Sequence, residues 1–203
     1  MSVAGVVLAA GLSERMQDGT KQLLAFGDMT MTGLVVQTAE ASMLDPVVVV
    51  IGHEADEVEA TMAPQRSRLV RNPDYRTGNL SSFHAGVAAV GDAEAVMLLV
   101  ADQPEMDITT IDGLASVWLD SRPFAAVAAY EGVVGHPWVL SADAVSAAAS
   151  LAGTKALWQW LTDLHAEELV SVPMPRGRPR DVNTVQDYHR ALRNLGLWEQ
   201  TVR

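Results

Sequence analysis

The chain opens on Val3 to Leu8, a short unbroken apolar run rich in β-branched residues, and passes at once into Ala9-Ala10-Gly11. A run of this length without polar alternation is a strand buried on both faces. Such a strand demands a sheet covered by helices on either side. The next residues restrict the chain further. In the stretch Leu8 to Leu24, LAAGLSERMQDGTKQLL, small residues are succeeded by two isolated cations, Arg15 and Lys21. Small residues let the backbone approach a ligand closely, and free N–H groups can donate to phosphate oxygens. Cations add the charge that N–H dipoles alone cannot supply. The spacing of Gly11 and Gly19-Thr20-Lys21 excludes a Walker P-loop, and no GxGxxG is present. On the residues alone, the stretch is either a phosphate-binding loop or a strand-to-helix turn carrying two solvated charges.

The rest of the chain alternates strands with helices. Strands are expected at Val47 to Ile51, Arg68 to Arg71, Ala95 to Ala101, Phe124 to Ala129, Trp138 to Leu140 and Leu169 to Val172. Helices are expected over Thr32 to Ser42, Glu54 to Met62, from Ser81 or Ser82 as cap to about Val90, and over Thr109 to Asp120. Further helices are expected over Ser141 to Leu151, Lys155 to Leu164 and Val185 to Leu195. Ala95 to Ala101 is the most apolar run and the expected central strand. Glu131 to Pro137 reads as a loop that holds His136 in a tight turn, and Leu157, Trp158 and Trp160 read as core. The alternation implies a single α/β domain over residues 1–203, with a mostly parallel sheet whose ligands bind beyond the carboxyl ends of the strands.

Charge and composition narrow the function. The net charge of −11 disfavours a nucleic-acid partner and makes cations beside a loop stand out. There is no cysteine, which rules out disulfides and thiolate chemistry and agrees with a cytoplasmic setting. No signal-peptide pattern opens the chain, and no apolar run approaches the roughly 18 residues of a membrane span. The histidines show no HxH or HExxH spacing, and GxSxG is absent.

Asp102, in Asp102-Gln103-Pro104 after the central strand, falls on the same sheet edge as the cation-bearing loop. A carboxylate facing phosphates is repulsive unless a divalent cation lies between, and magnesium usually takes one or two carboxylates plus substrate phosphates. Asp102 is therefore a metal ligand or the cap of the next turn. Asp181 is a second metal ligand or the N-cap of the last helix, a role open also to Thr184. The loop Pro173-Met174-Pro175-Arg176-Gly177-Arg178-Pro179-Arg180 is rigid and basic.

The opening pattern LAAGxSxRMxxxxKxLL resembles that of the nucleotidyltransferases that make activated cofactors and sugars. It is most similar to that of the molybdenum cofactor cytidylyltransferases, the MocA-like proteins related to the guanylyltransferases. Four more segments occur in family order. Asn72-Pro73-Asp74-Tyr75 with Gly78, Ser81-Ser82 and Gly86 looks like the NPxYxxGxxSSxxAG segment. Asp102-Gln103-Pro104 looks like the DQP motif and Gly135-His136-Pro137 like the GHP segment. Asp181-Val182-Asn183-Thr184 with Asp187-Tyr188 looks like the DIDTPEDY close.

The resemblance implies a Rossmann-like three-layer α/β/α nucleotidyltransferase domain that passes CMP from CTP to the phosphate of molybdopterin and releases pyrophosphate. It implies that the backbone of Leu8, Ala9, Ala10 and Gly11 holds base and triphosphate. Arg15 and Lys21 would bind phosphates, and Asn72, Gly78 and Ser82 would belong to the base and ribose pocket. Asp102 and Asp181 would hold Mg2+, and Gly135, His136 and Pro137 would lie on the acceptor side. A molybdenum hydroxylase or its chaperone is an implied partner. Ala10, where guanylyl relatives have glycine in LAGG, points to CTP ahead of GTP.

The chain departs from the family pattern in three places. Asn183 stands at a usual aspartate, and His84 replaces a usual basic residue. Only Gly153 survives where the family tends to have GDxGAR, with Thr154 at the acidic position. Another sugar or alcohol phosphate as acceptor, or a nucleotide- and cofactor-binding chaperone without turnover, therefore remain alternatives.

Overall fold

A computed structural model describes residues 2–13, 19–151, 156–164 and 167–202. Arg15, Gly153 and Thr154 lie outside the described residues. Among the described residues the strands are β1 (Val3–Ala9), β2 (Ala25–Phe26), β3 (Met29–Thr30), β4 (Val47–Ile51), β5 (Arg68–Arg71), β6 (Ala95–Val100), β7 (Ala125–Tyr130), β8 (Val133–Ser141) and β9 (Leu169–Pro173). The helices are α1 (Met31–Ala41), α2 (Ala55–Thr61), α3 (Asn79–Val90), α4 (Ile108–Ser121), α5 (Ala142–Ala148), α6 (Ala156–Asp163), α7 (Val185–Asn194) and α8 (Trp198–Thr201).

Seven strands form one sheet in the order β5-β4-β1-β6-β8-β7-β9, and β6 is the central strand as its apolarity predicts. All pairings are parallel except the two made by β8, so the mostly parallel sheet is borne out. Alternate strand residues feed two cores. Val7, Val49, Met97 and Ala126 pack with α1, α2 and α4 on one face. Val6, Val48, Leu98 and Val127 pack with α3, α5 and α6 on the other. This is the three-layer α/β/α arrangement. A third, smaller core joins Phe26 and Met31 to Val182, Ala191 and Leu192, and so ties the segment after Lys21 to the C-terminal helices.

The connection from β1 runs first to β4 and β5 on one side and only then to β6 on the other. The crevice between β1 and β6 is therefore a topological switch point, the place where such sheets bind ligands.

Two local expectations need correction. The segment Glu131 to Pro137 is not a loop. Glu131-Gly132 is a tight connection, and β8 runs from Val133 through the histidine to Ser141. Ala128 pairs with Gly135 and Val127 with Trp138, so His136 and Pro137 bulge from the strand without ladder partners on β7. Bulges re-aim side chains beside active sites, and a proline inside a strand is tolerated there because its missing N–H has no ladder bond to make. The reading of Ser81 or Ser82 as helix cap also fails. Helix α3 already begins at Asn79 behind Gly78, whose φ of +118° favours glycine. Ser81 instead donates its hydroxyl to the Gly78 carbonyl at 2.8 Å.

Gly86 sets the depth at which α3 sits on the sheet. A Cβ there would meet Val6 Cγ1 at 2.3 Å and Val50 Cγ2 at 3.1 Å, and both belong to neighbouring strands. Gly86→Ala is expected to destabilise by about 2 kcal/mol through overpacking, despite its better helix propensity. Urea unfolding should show a lower midpoint at unchanged slope.

Candidate active site

Strands β1 and β6 run side by side with Leu8 opposite Val100. Ala101 N donates to Leu8 O at 3.0 Å, which continues the pairing one residue past the register. The loop after β1 and Asp102 after β6 therefore emerge together. They border a cavity of about 420 Å³ at the carboxyl ends of the strands. Of the residues singled out from sequence, Leu8, Ala9, Ala10, Gly11, Lys21, Ser82, Asp102, His136 and Asp181 all line it. Asn72, Gly78, Gly135 and Pro137 do not.

Asn72 acts one layer back. It is 4 % exposed, and its amide donates to Ser81 Oγ at 2.9 Å and Ser82 Oγ at 3.0 Å, while its carbonyl oxygen accepts from Asp74 N at 3.0 Å. It thus orients the serine that reaches the cavity.

Charge is concentrated around Lys21. Its Nζ donates to Asp102 Oδ2 at 2.6 Å and to Asn183 Oδ1 at 3.1 Å. Burial pushes the Asp102 carboxyl above its ordinary range; the Lys21 ammonium pulls it down, and nearby Asp181 pushes it up again. The net direction is upward, so Asp102 has less positive charge around it than a buried carboxylate requires.

Asp181 is not the cap of the last helix. Thr184 is, in a capping box with Asp187, which leaves Asp181 in the cavity wall. Gln103 Nε2 donates to Asp181 Oδ1 at 2.8 Å, and Val182 N donates to Asp102 O at 2.8 Å, so the two acidic segments are bound to one another. Among the described residues no group of three or more His, Asp and Glu is placed to hold a metal ion. The carboxylates of Asp102 and Asp181 on one cavity wall fit a hard divalent cation that completes its shell with substrate phosphates and water.

Gln22 went unnoticed in the sequence. It is 2 % exposed; its amide donates to Ala9 O at 3.2 Å and Gly11 O at 2.7 Å, and its oxygen accepts from Ser13 Oγ at 2.7 Å. It clamps the loop in shape. A glutamine beside a lysine carries no signal of burial, since polar residues are mostly exposed. Gln103, 1 % exposed and holding Asp181, escaped for the same reason.

His136 stands at the other wall. Its ring stacks on Trp138 with centroids 4.1 Å apart, and Trp138 in turn contacts Trp158 at 5.3 Å. Trp158 is 39 % exposed rather than core, because α6 lays it at the outer end of this stack. Burial pushes the imidazole down to about 4, against a hydrogen bond to the Leu98 backbone and the field of Asp181, so the ring is neutral at physiological pH.

The comparisons with known proteins agree with this geometry. Residues 5–169 match the MobA-like NTP transferase domain. Nicotine blue oxidoreductase of Paenarthrobacter nicotinovorans is 31% identical over 207 residues, which cover 94% of this chain and 96% of that one. The molybdenum cofactor cytidylyltransferase of Escherichia coli K12 is 30% identical, covering 67% of this chain and 68% of its own. Rv0371c of Mycobacterium tuberculosis H37Rv superposes with a TM-score of 0.82 at 28% identity, covering 95% of this chain and 99% of that one, and is also known as a complex with manganese. The chain belongs to the MobA-like NTP transferase domain family and is a nucleotidyltransferase of the MobA/MocA-like type. No helix among the described residues is long and apolar enough to cross a membrane.

The clamp and the buried imidazole each give a measurable outcome. Gln22→Ala removes three hydrogen bonds, of which the one to Ala9 O is buried, and a buried group left unpaired costs about 1–3 kcal/mol. Amide exchange over residues 9–13 should accelerate at least tenfold. His136 contributes stability that is full above pH 6.5 and is lost as pH falls toward 4, because the unfolded chain takes up a proton that the folded chain refuses. In His136→Gln the loss of urea stability between pH 6.5 and 4 should be shallower than in the wild type.

Proposed function

We propose that the protein transfers CMP from CTP to the phosphate of molybdopterin, releases pyrophosphate, and uses Mg2+ held by Asp102 and Asp181. The reading is carried by one arrangement: Lys21, Asp102, Asp181 and the Ala9-Ala10-Gly11 backbone around a single cavity at the β1–β6 switch point. The Escherichia coli relative, named for cytidylyl transfer to this cofactor, supports the choice of base and acceptor. The manganese complex of Rv0371c supports a divalent cation.

In this reaction an oxygen of the acceptor's phosphate forms a bond to the α-phosphorus of CTP. The bond from that phosphorus to the β-phosphate bridging oxygen breaks, and pyrophosphate leaves with the electron pair. A phosphate monoester has its second pKa near 6, so the nucleophile is already anionic at neutral pH. The chain need not supply a general base, which accords with a neutral His136. What remains for the protein is alignment and charge.

Loop N–H groups after β1 hold the triphosphate, and Ser82 meets the base and ribose. Lys21 leaves Asp102 for the phosphates, and Arg15 adds a second cation. Asp102 and Asp181 would hold Mg2+, which when bound would supply Lewis-acid polarisation at the α-phosphate and offset charge on the leaving group. Ala10 puts a methyl where guanylyl relatives have none, which favours the smaller cytosine.

A second reading is favoured by the Paenarthrobacter relative, whose name is that of an oxidoreductase. Lys21 and the paired carboxylates speak for phosphate chemistry instead, and nicotine blue with a reduced nicotinamide cofactor forms a rival arm of the assay.

Each α-labelled nucleoside triphosphate is incubated with Mg2+ and molybdopterin, with sugar phosphates as competing acceptors. Label should pass from CTP to molybdopterin. Asp102→Ala should lower kcat/KM at least a thousandfold and Lys21→Ala about a hundred- to a thousandfold. Retained activity in Asp102→Ala, or bleaching of nicotine blue with no transfer, would sink the proposal. A separate measurement isolates the metal role. Because Lys21 sits on Asp102 at 2.6 Å, Lys21→Met should bind Mn2+ without nucleotide about tenfold more tightly than the wild type, although it transfers poorly.

A further inference from the structure

Nucleotidyl transfer at this site leaves one charge unassigned. The acceptor's phosphate is a dianion and must approach a triphosphate. Lys21, which contacts Asp102 and Asn183, and Arg15 are both taken up by the triphosphate in that reading. A further cation is needed where the acceptor enters, and the net charge of −11 makes such a cation scarce.

The basic loop Pro173 to Arg180 supplies one. It is a held segment. At its start Met174 N donates to Ala129 O at 2.8 Å, and beyond its end Val182 N donates to Asp102 O at 2.8 Å. Met174 and Pro179 are buried between these anchors, and three prolines limit the backbone. Of its arginines, Arg176 is neutralised by Asp107, the N-cap of α4. Arg178 is exposed and makes no ion pair or hydrogen bond with the described residues.

Arg178 nonetheless has a defined place. A Cβ on Gly135 would come within 3.1 Å of Arg178 Nε and 3.5 Å of its Cδ, so the side chain lies along the glycine that opens the bulge. Gly135 adjoins His136, which lines the cavity, so Arg178 lies next to the cavity wall without itself lining it. Gly135 leaves room for that side chain, a physical reason for glycine ahead of the histidine.

We propose that Arg178, lying against Gly135 next to His136 at the edge of the cavity, binds the phosphate monoester of the acceptor. The proposal rests on the nucleotidyl-transfer reading. A guanidinium suits the task because its planar fork can grip two phosphate oxygens at once and so fixes the direction of the third. The same loop gives the acceptor specificity a basis that does not depend on residues 152–155.

The test uses the full chain and separates binding from turnover. Binding of molybdopterin, monitored by its fluorescence without nucleotide, should weaken ten- to a hundredfold in Arg178→Ala, the range of a charge-assisted hydrogen-bonded contact. CTP affinity should be unchanged. Arg178→Lys should recover part of the loss, and dephosphorylated molybdopterin should bind wild type and Arg178→Ala alike. In turnover, the KM for the acceptor should rise while the KM for CTP stays fixed. Gly135→Ala should act in the same direction, and the double variant should be no worse than Arg178→Ala alone. If transfer proceeds with equal acceptor KM in wild type and Arg178→Ala, the subsite is wrong and the nucleotidyl-transfer reading stands. If molybdopterin binds in an Arg178-dependent way but receives no nucleotide, the subsite stands and the reading falls. If the wild type neither binds nor modifies a phosphate acceptor, both are wrong.

Discussion

Everything at the site depends on the parallel pairing of β1 with β6. With Leu8 opposite Val100, the two chains leave the sheet at the same level, and a phosphate-type loop and a carboxylate about eighty residues further on become neighbours. The pairing is secure because both strands are buried on both faces, Val6 and Leu98 toward one helix layer and Val7 and Met97 toward the other. A slip of one residue would exchange the two faces and separate Asp102 from the loop.

The cost of this placement is a carboxylate in poor surroundings. Asp102 is desolvated, has Asp181 nearby, and is only partly compensated by Lys21. A protein seeking stability alone would replace such a group with an apolar one. Perturbed carboxylates of this kind cluster at functional sites, which accords with the place of Asp102 in the cavity wall. The third core makes the same point from another side. It fastens the segment after Lys21 to Val182, and with it Lys21 to Asn183 and Asp181, so that the cation and the acids are held by one packing unit.

The cavity wall proposed to face the acceptor is built differently. The wall at β1 and β6 uses regular strand ends, whereas the wall at His136 uses a bulge and an aromatic stack. His136 is backed by Trp138 and Trp158, kept neutral, and flanked by Arg178 at Gly135. Irregular elements of this kind are where one fold acquires different acceptors without disturbing the sheet beneath.

The alternation of apolar runs with helical stretches determined the layers, the parallel sheet and the central place of β6, because burial on both faces leaves its trace in each strand separately. Lys21, Asp102 and Asp181 stood out in the sequence as charged residues in short motifs, and the structure places all three around one cavity. Gln22, Gln103 and the outward position of Trp158 were not legible. A buried glutamine and an exposed one look alike until the groups around it are known. The same limit hid the first part of β8, Val133 to Pro137, whose glycine, histidine and proline read as a loop until β7 offered a partner that could accept a bulge. At the opening loop the sequence supplied small residues and cations and left two readings open. Only the register between β1 and β6 brought Asp102 onto Lys21, because a contact between distant residues is decided by packing and not by either segment alone.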